Sequence, residues 1–145
     1  ALPISPMYET ILVPTDGSEQ ADAALDHAVS LARAHDATVH LLYVADSNRD
    51  SVTTLGGEVV DALEGEGERI LEEATERLDP SVDVVDAIET GGPVETILDY
   101  ADLVDADVIV MGTHGRRGID RYLLGSTTER VVRLSSVPVL TIREE

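Results

Sequence analysis

The sequence predicts one doubly wound, Rossmann-like α/β domain, a parallel sheet with helices on both faces, and three observations carry that prediction. Short apolar runs alternate with amphipathic segments along the whole chain. Several of the runs are apolar at successive positions, the pattern of strands buried on both faces. The length of 145 residues suits one domain with one sizeable core. No internal repeat and no second domain is visible.

The elements follow in order. Residues 10–14 form an apolar run, and from Ser18 onward Ala21, Ala24, Leu25, Ala28 and Ala32 share one helical face, giving strand, turn and helix. Residues 39–44 read as the second strand. A polar stretch over 46–54 leads to Val60, Leu63, Gly67, Ile70, Leu71, Ala74 and Leu78 at helical spacing, and Asp79-Pro80 should end that helix. Residues 82–88 mix apolar positions with Asp83 and Asp86, as suits a third strand near a sheet edge. Gly92-Pro93 opens a helix carrying Val94, Ile97, Leu98 and Ala101, with proline in its favoured first turn. Residues 108–111 form the fourth strand, a helix starts near Ser126, and 137–142 is a fifth strand whose Pro138 suits an edge. The first six residues precede Met7 without periodicity and read as an extraneous remnant or a disordered end, so the domain is expected over 7–145.

Composition narrows the function. No segment is apolar enough to span a membrane and no basic-then-apolar leader is visible, so a cytoplasmic protein is expected. Cysteine is absent, which excludes disulfides and thiolate chemistry. All ten basic residues are arginine, against 29 acidic residues, for a net charge of -19. Such an excess makes physical sense where salt screens it, so a halophilic source is expected. It also argues against nucleic acid or an anionic membrane as partner. Residues 112–133 break the trend: Arg116, Arg117, Arg121, Arg130 and Arg133 face only Asp120 and Glu129, a local excess of three positive charges in a chain carrying -22 elsewhere. An anion is most readily held there, unless these arginines pair with carboxylates elsewhere on the surface.

Ligands of doubly wound sheets bind beyond the carboxyl ends of the strands, where strand order reverses. The loops to inspect are therefore Thr15-Asp16-Gly17-Ser18, Ala45-Asp46-Ser47, and the stretch from Thr113-His114-Gly115 onward. No G-x-G-x-x-G follows the first strand, and a phosphate loop requiring lysine is impossible here. Instead Gly112 ends the fourth strand, Gly115 follows after two residues, Gly125 after nine more, and Ser126 comes next. Glycines let backbone N–H groups approach phosphate oxygens, and the helix after Ser126 aims its positive end at the same spot. Ser126-Thr127-Thr128-Glu129 also reads as a capping box, in which Ser126 caps that helix. For Gly112 a tight turn is an equally good explanation, and for Gly118 the better one. His27, His35 and His40 lack ligand-like spacing, and residues 64–73 read as a solvated acidic helix face.

The arrangement Gly112, Gly115, Gly125, Ser126 resembles the ATP-binding signature of the universal stress protein family. The opening Ile11-Leu12-Val13-Pro14-Thr15-Asp16-Gly17-Ser18, the block Met111-Gly112-Thr113-His114-Gly115 and the closing Val137-Pro138-Val139-Leu140-Thr141-Ile142 resemble it too, so the likeness covers the chain from Met7 onward. The resemblance implies a five-stranded parallel sheet of order 3-2-1-4-5 with an adenine nucleotide (ATP, or ADP or AMP) across the strand ends. It implies Pro14, Thr15 and Asp16 at base and ribose, Val44 at adenine through its backbone, and Gly112 beside the ribose, with Met111 also in the nucleotide site. Gly115, Gly125, Ser126 and Thr127 would hold phosphates. Asp16 would approach a magnesium ion carried by the nucleotide, or else form an Asx turn into the first helix. His114, Arg116 and Arg117 occupy positions the signature leaves free.

No catalytic residue is expected, since the cradle has neither lysine nor a base placed to activate water. The leading expectation is a nucleotide-dependent switch or sensor of the stress response, in which ligand fixes the segment 113–124 and alters a surface read by protein partners. A nucleotide-independent dimeric scaffold and a slow ATPase are the alternatives. The family habit of pairing the last strand across a two-fold axis implies a homodimer.

Overall fold

The computed structural model of the chain describes residues 8–46, 57–113 and 124–143. Within them strands and helices alternate: β1 (Thr10–Thr15), α1 (Glu19–His35), β2 (Thr38–Asp46), α2 (Gly57–Glu76), β3 (Val84–Gly91), α3 (Pro93–Leu103), β4 (Val108–Gly112), α4 (Ser126–Leu134) and β5 (Val139–Ile142). The strands form one sheet in the order β3-β2-β1-β4-β5, every neighbouring pair parallel. This is the doubly wound fold and the strand order expected from the sequence, with β3 and β5 at the two edges.

The sheet buries both faces. On one, Ile11, Val13, Val39, Leu41, Val108 and Val110 pack against α1 and α2. The inner face of α1 is built from Ala21, Ala24, Ala28 and Ala32, all buried, so small side chains bring that helix close to the strands. Farther along, Gly67 of α2 lies against the ring of Tyr43, which occupies the space a Cβ would take. On the other face Leu12, Leu42, Ile109 and Met111 pack against Val94, Ile97, Tyr100 and Ala101 of α3 and Val131 of α4.

Three boundaries differ from the periodicity. Helix α2 ends at Glu76 instead of running to Asp79. Its last turn tightens, the Arg77 and Leu78 amides donating to the Ala74 and Thr75 carbonyls three residues back, because Pro80 disfavours helical geometry at Asp79. The third strand lies at Val84–Gly91, later than 82–88; Val82 is buried before it, its amide donating to the Asp79 carbonyl in a turn. The fifth strand begins only at Val139, since Pro138 has no N–H to give, although its carbonyl accepts from the Ile109 amide at 3.0 Å.

The feature that creates a site is an uneven ladder. β1 pairs with β2 over six residues, Thr10 to Thr15, whereas its pairing with β4 on the other side covers Ile11 and Leu12 alone. Beyond Leu12 the ladder between the two central strands has a gap, and Pro14, which lacks a ladder donor, falls in the stretch that no longer pairs with β4. The gap opens where strand order reverses, at the carboxyl ends, the place where doubly wound sheets take ligands.

Candidate functional site

Three segments converge on this gap. The first is the turn from β1 into α1. The Gly17 amide donates to Thr15 Oγ1 at 3.1 Å and the Ser18 amide to Asp16 Oδ1 at 2.9 Å, so the threonine and aspartate side chains fold the turn on themselves. Gly17 has φ of 79°, a conformation other residues rarely adopt. Ser18 then caps α1, its Oγ accepting from the Ala21 amide at 3.1 Å. The Asx turn expected as the alternative role of Asp16 is thus present.

The second segment is the end of β4. Strand alternation sets Met111 on the α3 and α4 face, where it is buried, with Val44 beside the same cluster and Pro14 two residues after Leu12. Thr15 and Gly112 fall on the α1 face. Gly112 is not a tight turn: it is the last strand residue, and a Cβ there would meet the Gln20 carbonyl oxygen at 2.9 Å and the Gln20 Cβ at 2.8 Å. Its glycine lets the first turn of α1 close onto β4, which brings the Thr15–Ser18 turn to the end of that strand.

The third segment is the start of α4. Gly125, not Ser126, is its N-cap, and no side chain caps the helix. The capping box expected from Ser126 and Glu129 is therefore absent. Ser126 is the first helical residue and exposed, while Glu129 pairs instead with Arg133 at 3.5 Å. The Gly125 amide is engaged with the Thr113 carbonyl at 2.7 Å, and the Thr113 amide with the Ile142 carbonyl at 3.1 Å. Thr128, almost fully buried, donates from Oγ1 to the Gly112 carbonyl at 2.9 Å. A threonine on the same helix face as buried Val131 was the signal in the sequence for such a satisfied hydroxyl.

The structure thus brings Pro14, Thr15, Asp16, Val44, Met111, Gly112, Gly125, Ser126 and Thr127 to one end of the sheet. Gly115, His114, Arg116, Arg117, Gly118 and Arg121 lie outside the described residues. Of the arginine island, Arg130 pairs with Glu95 at 3.4 Å and Arg133 with Glu129, so for these two the surface-pair explanation holds.

The electrostatics are lopsided. On the α1 side, burial raises the Asp22 pKa above its ordinary value; Asp26, Asp16 and Glu19 add to the shift, and Arg77 opposes it from 3.4 Å. On the α4 side the uncapped first turn carries the positive end of a helix. The first turn of α1 carries Glu19 and Asp22, and that of α4 carries Glu129, which is paired with Arg133. Among the described residues no cluster of His, Asp and Glu can hold a metal by itself.

The comparisons with known proteins agree with this geometry. Residues 7–143 match the universal stress protein family as a whole. Universal stress protein MJ0531 of Methanocaldococcus jannaschii is 33% identical over 142 residues, 95% of this chain and 84% of that one. Universal stress protein MJ0577 of the same organism is 34% identical, covering 98% of this chain and 99% of the other; a solved structure of MJ0577 superposes with a TM-score of 0.86 over 96% of this chain and 98% of that one. A universal stress protein solved in complex with cAMP is 30% identical with a TM-score of 0.74, over 96% and 99% of the two chains. Fold, strand order and matched length lead to one conclusion: this chain belongs to the universal stress protein family.

Proposed function

We propose that the chain binds an adenine nucleotide, ATP or its ADP and AMP counterparts, across the carboxyl ends of β1, β2 and β4, and that it works as a nucleotide-dependent switch of the stress response in the cytoplasm. The observation that carries this reading is the start of α4. Its N-cap is a glycine without a side-chain oxygen, its first turn is left uncapped, and it is bonded directly to the end of β4 beside the gap. Free N–H groups at a helix N-terminus suit a phosphate. The neighbouring cAMP complex supports a nucleotide at this fold.

In this arrangement Pro14 and Val44 border the base from the α3 face, Thr15 and Asp16 border the ribose, and Met111 and Gly112 form the floor. Ser126 and Thr127 take phosphate on the first turn of α4, with Gly125 admitting it by lacking a side chain. Gly115 belongs to the same cradle. Asp16 fits a magnesium ion only as a partial ligand, since one of its oxygens already serves the Ser18 amide; the ion arrives with the nucleotide and most of its ligands are phosphate oxygens and water. Equilibrium binding of ATP, ADP and AMP to the purified protein at high salt tests the reading. Failure of all three to bind overturns it.

The nucleotide-independent dimeric scaffold rests on a separate observation. Leu140 on edge strand β5 and Val132 and Leu134 on α4 are exposed apolar side chains, and a homodimer through β5 would cover such an edge. Light scattering at high salt is expected to give a dimer, and a monomer counts against it. Nucleotide bound to that dimer leaves the switch standing, whereas a dimer without nucleotide affinity favours the scaffold. Slow ATP hydrolysis is the remaining alternative, read as phosphate release above that of a Gly125 variant.

A further inference from the structure

We propose that Thr128 is the positioning residue of the phosphate-binding turn, fixing the direction of the Ser126 and Thr127 N–H groups relative to the strands. The inference rests on the nucleotide reading above and adds to it a residue that touches no ligand.

The need for such a residue follows from how α4 begins. Helix α1 is stabilised locally, Ser18 accepting from the Ala21 amide. Helix α4 has a glycine N-cap and no side-chain cap, so its first turn must be held from elsewhere if its donors are to stay open for an anion. Two bonds do this. The Gly125 amide donates to the Thr113 carbonyl at 2.7 Å, and Thr128 Oγ1 to the Gly112 carbonyl at 2.9 Å. They join residues on either side of the turn to successive carbonyls of one strand end. The orientation of the intervening Ser126 and Thr127 is thereby tied to β4.

The anchor is a firm one. The first turn of α1 closes on Gly112 from the other side, leaving no room for a Cβ. The Thr113 amide is bonded to the Ile142 carbonyl of β5. Thr128 is 3% exposed, beside Val131 at 0%, and its hydroxyl reaches across to the strand instead of back to its own helix. A threonine bonded backward would donate to a carbonyl of its own helix start and leave the turn untied to β4. Threonine is also stiff at χ1, so the hydroxyl cannot swing away without turning the methyl out of its packing.

A positioning role differs measurably from a merely structural one. Titration calorimetry with ATP and with adenosine, at high salt, compares the wild type with Thr128→Val and Thr128→Ser. Valine keeps the shape and removes the donor; serine keeps the donor. In Thr128→Val the Kd for ATP is expected to rise about tenfold, the scale of one hydrogen bond to a charged group, with the Kd for adenosine within about twofold of wild type. Thr128→Ser should restore ATP affinity to within about threefold. Equal weakening of both ligands, no weakening of either, or failure of serine to rescue overturns the proposal. If the valine variant does not fold, Thr128→Cys, a weak donor of similar size, takes its place in the same comparison. If the wild type binds neither ligand, the nucleotide reading fails, and hydrogen exchange of the Gly125 amide still decides the positioning role. Loss of the Thr128 hydroxyl should raise that exchange about tenfold relative to amides of β1 and β2, and unchanged protection overturns the proposal.

Discussion

At the scale of single residues, His40 shows how one buried atom couples stability to pH. It sits on β2 with its Nδ1 buried and without a hydrogen-bond partner, its ring edge-on to Tyr100 at a centroid separation of 6.2 Å. Burial lowers its pKa below the ordinary 6.5, because the fold desolvates the charged imidazolium. In the unfolded chain the group titrates near 6.5, so below that pH the unfolded state binds the proton first and the fold loses stability until pH passes the folded value. His40 therefore stabilises the native state above about pH 6.5 and progressively less as acid is added. Replacing His40 by Leu should flatten the fall in denaturant midpoint between pH 7.5 and pH 5.5. Equal pH dependence in the two proteins would show that the imidazole is not the titrating group. Asp79 shifts in the same direction for a different cause, its half-buried carboxyl held below the ordinary value by hydrogen bonds from Ser81, so its contribution too is lost as acid is added.

At the scale of elements, α2 contains an internal comparison. Gly65 and Gly67 stand two residues apart in one helix, both at a cost in helix propensity, yet their surroundings differ. A Cβ at Gly65 meets nothing within 4 Å, while one at Gly67 runs into the Tyr43 ring. Gly65→Ala is expected to stabilise the protein by up to about 1 kcal/mol and Gly67→Ala to destabilise it by about 1–3 kcal/mol. Chemical denaturation of the two variants checks both signs at once, and a stabilised Gly67→Ala would mean that the ring moves aside freely. The same pair shows what the sequence disclosed. The spacing of Leu63, Gly67, Ile70, Leu71 and Ala74 revealed the buried face, since a 3.6-residue period depends only on neighbours along the chain. That Gly67 is there for Tyr43, and Gly112 for Gln20, depends on contacts between distant segments and left no local mark. Ser126 fell between the two cases. The segment Ser126 to Glu129 fits a capping box, but tertiary bonds from Gly125 and Thr128 shift the N-cap back by one residue, which turns a self-satisfied helix start into an open one. The glycine spacing of the site was legible, whereas the tie that orients it was not.

At the scale of the whole molecule, charge is the dominant feature, and its effect can be weighed. The net charge is -19 with no lysine. Ion pairs such as Arg33–Asp79, Arg69–Glu73 and Arg130–Glu95 are all substantially exposed, so each contributes about 0–1 kcal/mol at most. They do not offset the repulsion among 29 carboxylates. That repulsion acts over about 8 Å at physiological ionic strength and about 3 Å at 1 M salt. Added KCl should therefore raise the thermal midpoint steeply, and should do so more than an osmotically equal amount of sucrose, which excludes itself from the surface without screening charge. A second variant isolates the cause. Glu68, Glu72 and Glu76 line the outer face of α2, all exposed, and changing the three to Gln removes charge without touching the core. This triple variant should be more stable than the wild type at low salt and should gain less from KCl, so that the two curves converge as screening becomes complete. A midpoint that falls with KCl, or a variant whose salt slope matches the wild type, would show that hydration or burial, and not self-repulsion, sets the stability of this chain.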